Sequence, residues 1–470
     1  MTAARRLDRL FCDRALLADG WASGVLLRFD AQGLIAGLEA GLDAPPVGVE
    51  RAAGPVIPGM PNLHSHAFQR AMAGLTERAG PAEDSFWTWR EVMYGFVGRI
   101  DPDSLQAVAA MAYAEMLERG YTSVAEFHYL HHDADGRPYA DLAETSKRIL
   151  AAADATGIGL THLPVLYAQG GFGGQPAGEG QRRFLNDPDR LLAIVEACRA
   201  APGGHRTGLA LHSLRAVSPD AMAAALDGLS ALDPAAPVHI HVAEQTAEVD
   251  ACLAWSGRRP VQWLLDSGWL GPSWCLVHAT HVTPDEVAGI AASGAVAGLC
   301  PTTEADLGDG LFPARDFLTQ GGRFGGGRFG IGSDSQVIID AAEELRLLEF
   351  GQRLAARRRN LLAPEAGAST GAALYRGAVA GGAQALGLPG PASGLATGQR
   401  ADLVVLNPDE PRLYGRTDDM LLDSYVFAGA RDAVRDVVAG GRLVVRDGRH
   451  VDADAIRNGW RRAVDRLNAA

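Results

Sequence analysis

Cysteine is scarce in this chain: five residues (Cys12, Cys198, Cys252, Cys275 and Cys300) spread over 470, odd in number and with no CxxC pair. That pattern excludes a disulfide framework and a thiolate metal cluster, and it fits a reducing compartment. Long apolar runs are missing, so no stretch reads as a membrane span. Residues 1–21 are interrupted by charges and hold no signal-peptide core. Cytoplasmic residence is the expectation. Positive charge is short as well. With a formal net charge of -13 there is no basic stripe to neutralise phosphates, which excludes a nucleic-acid partner. An anionic small ligand would have to be met by a few locally placed arginines. The Gly-rich stretches 168–180 and 321–330 lack the GxxxxGK[ST] spacing of a phosphate loop, so they read as flexible connections.

Apolar residues are plentiful, at 47%, enough for one large domain and a smaller companion. Eight short β-like runs recur between residues 56 and 335: 56–66, 122–128, 162–167, 207–213, 237–244, 274–280, 295–301 and 329–335. Helical stretches separate them, among them 103–120, 141–157 and 188–201. Eight strands alternating with helices suit a (β/α)8 barrel, with a doubly wound open sheet as the competing topology. The two ends differ in character. Residues 1–57 and 390–470 carry short β runs and are expected to pack together as one small β domain beside a barrel of residues 58–389.

The 13 histidines favour the barrel. His64, His66, His128, His162, His212, His239, His241, His278 and His281 lie in or near expected strands, with His131 and His132 just after one. Most fall toward C-terminal strand ends, which a barrel gathers at one mouth. One convergent polar site is the reading. His64 and His66, two apart in a strand, share a face; alone, such a pair is as readily a wet strand end as a metal site. Added to His212, His241, His278 and Asp334, it makes three imidazoles and a carboxylate for a borderline metal plausible. Glu244, three residues beyond His241, can join only if the strand breaks near Ala243. Blander readings apply to several residues. His239 reads as a core histidine, His131, His132 and His281 as loop residues, and FWTWRE (86–91) as an amphipathic helix start.

The order of these residues, HxH on the first strand, His on the fifth and sixth and Asp on the eighth, resembles the amidohydrolase superfamily. The resemblance extends over essentially the whole chain, including GLATGQRADLVVLN (394–407). It implies an α/β (β/α)8 TIM-like barrel with a β-sandwich built from both chain ends. It further implies one zinc per subunit on His64, His66, His241 and Asp334, although iron or manganese could occupy the same ligands. No lysine stands at the end of the fourth strand, where binuclear members carry one; His212 is there, which points to the mononuclear deaminase branch. Within that branch PGMPNLHSHAFQRAMAG, DSFWTWRE, AEFHYLHHD, LHSLRAVS, HIHVAEQ and GSDSQ look like deiminases of histidine degradation. Their substrate is a dianionic formimidoyl amino acid. The resemblance assigns catalysis to Glu244, His278 and Asp334, and substrate binding to Gln69, Arg90, Tyr129, His212 and Arg215. It also implies a homodimer. Two rivals remain: another mononuclear deaminase or chlorohydrolase acting on a purine, pyrimidine or triazine, and a non-catalytic barrel serving as an assembly protein. The second usually goes with lost ligands, and all four are present.

Overall fold

The computed structural model describes residues 4–79, 84–320, 326–390, 393–429 and 431–469. Apolar runs with few polar interruptions form strands covered on both faces, the pattern of a buried parallel sheet; every residue of Tyr121–His128 is buried. Eight such strands pair in chain order: β1 (Met60–Ser65), β2 (Tyr121–His128), β3 (Gly159–Leu166), β4 (Leu209–Ser213), β5 (Val238–Val242), β6 (Trp274–His278), β7 (Val296–Leu299) and β8 (Arg328–Ile331). All the pairings are parallel, and β8 returns to β1 through Ile331 and Asn62. The sheet therefore closes, which removes its edges and rules out the open doubly wound alternative.

The helices that link these strands begin on recognisable signals. Asp101, Asp187, Ser218 and Thr283 each cap a helix that opens with proline, accepting a backbone N–H with the side-chain oxygen. Gly157 and Gly294 close two of the connecting helices at φ +79° and +76°, a region open to glycine without a Cβ penalty. The helix Thr370–Ala385 lies against β8 and β1. Its small residues allow this: a Cβ on Gly381 would fall 1.9 Å from the Phe329 carbonyl oxygen.

A second sheet of ten strands takes residues from both ends of the chain. Arg9–Leu17, Gly20–Phe29 and Ile35–Glu39 lie on one side, and Leu403–Leu406, Val434–Ala439 and Arg442–Arg446 on the other. Val56–Pro58 joins them, antiparallel to Leu403–Leu406 and parallel to the first strand at Ala15. Leu10, Cys12, Val25 and Leu27 share one apolar cluster with Leu403, Val405 and Val438, so each half buries what the other leaves bare.

Three readings from sequence need correction. The run 56–66 is two strands belonging to different sheets, parted at Gly59, where a Cβ would meet Thr122 Oγ1 at 2.1 Å. The stretch 168–180 is a folded turn, with Gly171 bridging Gln175 and Phe172 stacked on Trp255 at 5.4 Å between ring centroids. Of 321–330, residues 321–325 lie outside the described residues and Arg328–Gly330 belong to β8. At the far end, Ala453–Ala469 is a helix packed on Pro102–Glu118 of the barrel layer. No helix among the described residues is long and apolar enough to cross a membrane.

Gly381→Ala is expected to destabilise the fold by about 1–3 kcal/mol, the usual range for overpacking, read as a lower denaturant midpoint. An unchanged midpoint would show that the helix can move off β8 without cost.

Candidate metal centre and ligand pocket

The C-terminal ends of the strands bring together the residues named for the metal. His64 on β1 and His66, the residue just past its end, face the barrel interior. From β5, across the barrel, His241 places its Nε2 3.0 Å from His64 Nε2. Beyond β8, Asp334 Oδ1 lies 3.3 Å from the Nε2 of both His64 and His66. The ligand atoms of His64, His66 and Asp334 lie within 4.8 Å of one another, and so do those of His64, His241 and His278. Two of the rings are aimed by the backbone: His66 Nδ1 donates to the Phe127 carbonyl at 2.9 Å and His241 Nδ1 to the His212 carbonyl at 3.1 Å. With the proton held on Nδ1, each Nε2 presents a lone pair to the centre.

Electrostatics agrees with that protonation. Burial, the largest influence, holds the imidazoles of His64, His66 and His241 below their ordinary range. Burial opposes charge on Asp334 too, but the neighbouring His64, His278 and His66 outweigh it and keep the carboxylate ionised. Neutral imidazole nitrogens and one carboxylate, crowded to about 3 Å, repel one another unless a cation lies among them. The donor set fits a divalent metal. Cys300 Sγ also lies near His278 and Asp334, but burial raises its thiol well above the ordinary value, so it offers no thiolate.

Two further groups flank the centre. His278 Nε2 lies 3.6 Å from Asp334 Oδ2 and 3.9 Å from Glu244 Oε1, and its Nδ1 hydrogen-bonds Glu304 Oε1 at 3.3 Å. Burial works against charge on His278, but Glu244, Glu304 and Asp334 raise its pKa. Glu244 is raised as well, chiefly by burial, against the pull of His278. The strand break that Glu244 requires is present: β5 ends at Val242, and Ala243 takes φ +51°.

Outward from these groups runs a pocket with about 540 Å³ of open space. All five residues named for substrate binding, Gln69, Arg90, Tyr129, His212 and Arg215, line it. Gln69 Nε2 donates to the Tyr129 hydroxyl at 2.9 Å, leaving Gln69 Oε1 unpaired. The helix Phe86–Val97 forms one wall, so FWTWRE is more than an amphipathic start. The Arg90 guanidinium lies 4.6 Å from the Trp87 ring centroid and that of Arg215 5.7 Å from the same ring. Among the described residues neither guanidinium forms an ion pair, and the Nε of each is buried without a partner.

Sequence reasoning missed Tyr94, Tyr167, Phe184 and Thr303, which also line the pocket. It missed Glu304 too, although a carboxylate four residues past Cys300 at the end of β7 was a usable signal. Several of the histidines in or near strands do not join the site. His128 turns outward to Thr145 Oγ1 at 3.2 Å, and His131 bonds the Val165 carbonyl at 3.0 Å. His132 bonds the Leu185 carbonyl, and His162 is buried with both ring nitrogens unpaired. His239, as expected of a core residue, bonds the Ala385 carbonyl at 2.9 Å. Strand alternation sends half of such residues away from the barrel interior.

Residues 56–444 match the amidohydrolase family. A formimidoylglutamate deiminase of Pseudomonas aeruginosa is 56% identical over 446 residues, covering 94% of this chain and 96% of that protein. A solved amidohydrolase from Brucella melitensis superposes with a TM-score of 0.91 at 50% identity, covering 98% of this chain and all of the other. An adenosine deaminase from Xanthomonas campestris, solved with bound zinc, shares the fold at a TM-score of 0.76 and 21% identity, with 98% of each chain covered.

His241→Asn is expected to weaken divalent-metal binding at least tenfold, roughly the scale set by loss of even a supporting partner. His239→Asn, two residues deeper on the same strand, should retain the metal. Elemental analysis after gel filtration checks both; equal metal content in the two variants would refute the site.

Proposed function

This chain belongs to the amidohydrolase family, and we propose that it hydrolyses N-formimidoyl-L-glutamate to N-formyl-L-glutamate and ammonia, a step of histidine degradation. One observation carries the substrate assignment. Two guanidiniums, Arg90 and Arg215, face the pocket without carboxylate partners, although the chain as a whole carries a net charge of -13. A dianion supplies what they lack, and the arginine fork suits carboxylates. A neutral purine, pyrimidine or triazine would leave the buried Arg215 and the half-buried Arg90 without an ion-paired carboxylate, a costly arrangement for a desolvated cation. The unpaired Gln69 Oε1, the Tyr129 hydroxyl and His212 add hydrogen-bonding groups to the lining of the same pocket.

His64, His66, His241 and Asp334 would hold zinc. When bound, it supplies Lewis acidity that brings a water's pKa toward neutrality. The protein's own groups perform the proton movements. Glu244 takes a proton as the water oxygen bonds to the formimidoyl carbon, and returns it to the imino nitrogen. Asp334 assists the second transfer, and His278, held by Glu304, donates a hydrogen bond to the attacking oxygen. With both water protons moved to nitrogen, the carbon–nitrogen bond breaks, ammonia leaves and the formyl group remains. The nearby Arg215 and Arg90 hold the substrate carboxylates throughout, so the reacting carbon stays beside Glu244.

Ammonia release from N-formimidoyl-L-glutamate by the zinc-loaded protein, with guanine, cytosine and adenosine in parallel, tests the assignment. Turnover of the formimidoyl compound alone is expected; deamination of a neutral base in its place would refute the substrate. Glu244→Gln is expected to lower kcat about 10²- to 10⁴-fold, the usual contribution of a general acid–base group, with zinc content unchanged. Arg215→Met should act mainly on KM, raising it roughly 10- to 100-fold for the loss of a charged hydrogen bond. Steady-state kinetics separates the two, and an exchange of these effects would overturn the role assignments.

A further inference from the structure

Ser65, the last residue of β1, stands between His64 and His66 and, by strand alternation, faces the opposite way. It is fully buried and takes no part in the pocket wall. Its hydroxyl donates to Glu126 Oε2 at 2.6 Å and accepts from Gln336 Nε2 at 2.9 Å. Glu126, on β2, also accepts the Ala67 backbone N–H at 2.8 Å and the Tyr113 hydroxyl at 3.1 Å. Gln336, just past β8, donates in addition to the Asp334 carbonyl at 2.9 Å, and its Oε1 accepts from Ser333 Oγ at 2.9 Å. Ser333 Oγ in turn accepts from Asn62 Nδ2 at 2.6 Å. A continuous buried network thus runs behind the ligands, linking the ends of β1, β2 and β8.

The placement of this network bears on the ligands directly. Ser65 separates His64 from His66 in the chain, and Ala67 follows His66. The main chains of β1 and β8 are stitched at the same level, with His66 N–H donating to the Asp334 carbonyl and Asp334 N–H to the His64 carbonyl, each at 3.0 Å. Asp334 and Gln336 hold φ of +44° and +63°. Non-glycine residues in that region cost about 1–3 kcal/mol each and persist only where the surroundings overdetermine them. The amide of Gln336, tied to Ser65 and to the Asp334 carbonyl, provides that restraint.

We propose that Ser65, Glu126 and Gln336 form a positioning clamp that sets the spacing of His64 and His66 against Asp334 and thereby the affinity of the site for its metal. The proposal rests on the reading of those residues as ligands. None of the three clamp residues lines the pocket, so they are positioning residues rather than catalytic ones. Ser65 is the link that touches both sides. Without its hydroxyl, Gln336 Nε2 keeps one acceptor and Glu126 Oε2 keeps only the Tyr113 hydroxyl.

Zinc affinity measured by competition with a chelator, on Ser65→Ala, Glu126→Gln and Tyr113→Phe, tests the clamp. Circular dichroism and thermal unfolding of each metal-free variant accompany it. Ser65→Ala and Glu126→Gln are expected to bind zinc roughly 10- to 100-fold more weakly, the range for loss of groups that orient ligands. Tyr113→Phe removes a bond from the same carboxylate without cutting the clamp, and its affinity should stay near that of the wild type. A folded Ser65→Ala variant with wild-type affinity overturns the proposal, as does a lowered unfolding temperature with affinity unchanged. If Glu126→Gln fails to fold, Ser65→Ala decides alone. The readout needs no substrate, so loss of the clamp and loss of the formimidoyl substrate assignment are distinguishable.

Discussion

Three neutral imidazoles and an ionised carboxylate meet at the end of a closed sheet, where burial leaves His64 and Ser65 with no exposure and Asp334 with 5%. Electron pairs packed at such distances are mutually repulsive, and a divalent cation is the simplest arrangement that turns the repulsion into binding. Much else in the fold serves that meeting. His64 and His241 come from β1 and β5, four strands apart in pairing order. In a flat sheet they would stand about 19 Å from each other at the usual strand spacing. Closure of the barrel brings their Nε2 atoms to 3.0 Å. A chain with the same strands and no closure would have the histidines without the site.

Gathering these side chains there strains the backbone. Ala243, His278, Ala279, Asp334 and Gln336 all take positive φ, and all lie just at or beyond strand ends around the mouth. At Ala243 and Asp334 the turn brings the following residue, Glu244 and Ser335, to the pocket. Burial and buried hydrogen bonds bear the strain, in keeping with the general placement of such conformations at functional sites. Gly332 shows how tight the junction is: a Cβ there would lie 2.8 Å from both Cβ and O of His64.

Charge is handled locally rather than across the molecule. The acidic chain places Arg90 and Arg215 against an aromatic wall, where ring faces partly compensate a desolvated guanidinium. Around His278, Glu244, Glu304 and Asp334 supply the opposite sign. The pocket is therefore polarised, with anionic groups at its floor beside the proposed metal ligands and cationic groups on its wall. A ligand with its carboxylates at one end and its reacting group at the other matches that polarity.

What the sequence determined by itself is what a few neighbouring residues encode. The apolar runs marked eight strands, the spacing of His64 and His66 put both on one face, and the reach from His241 to Glu244 demanded a break that appears at Ala243. Asp101, Asp187, Ser218 and Thr283, each followed by proline, encode helix starts in the same local way. Only the tertiary structure decided which histidines converge. His128 and His162 sit in strands like His64 and His241 but turn to the outer layer, because the face a strand presents inward is set by its register against neighbours distant in sequence. The same holds for Tyr94, Phe184 and Glu304, which reach the site from a helix, a loop and a helix start outside the strand pattern. It holds for Ser65 as well, whose partners Glu126 and Gln336 lie 61 and 271 residues away. Local periodicity is written in adjacent side chains; proximity across a barrel exists only once the sheet has closed.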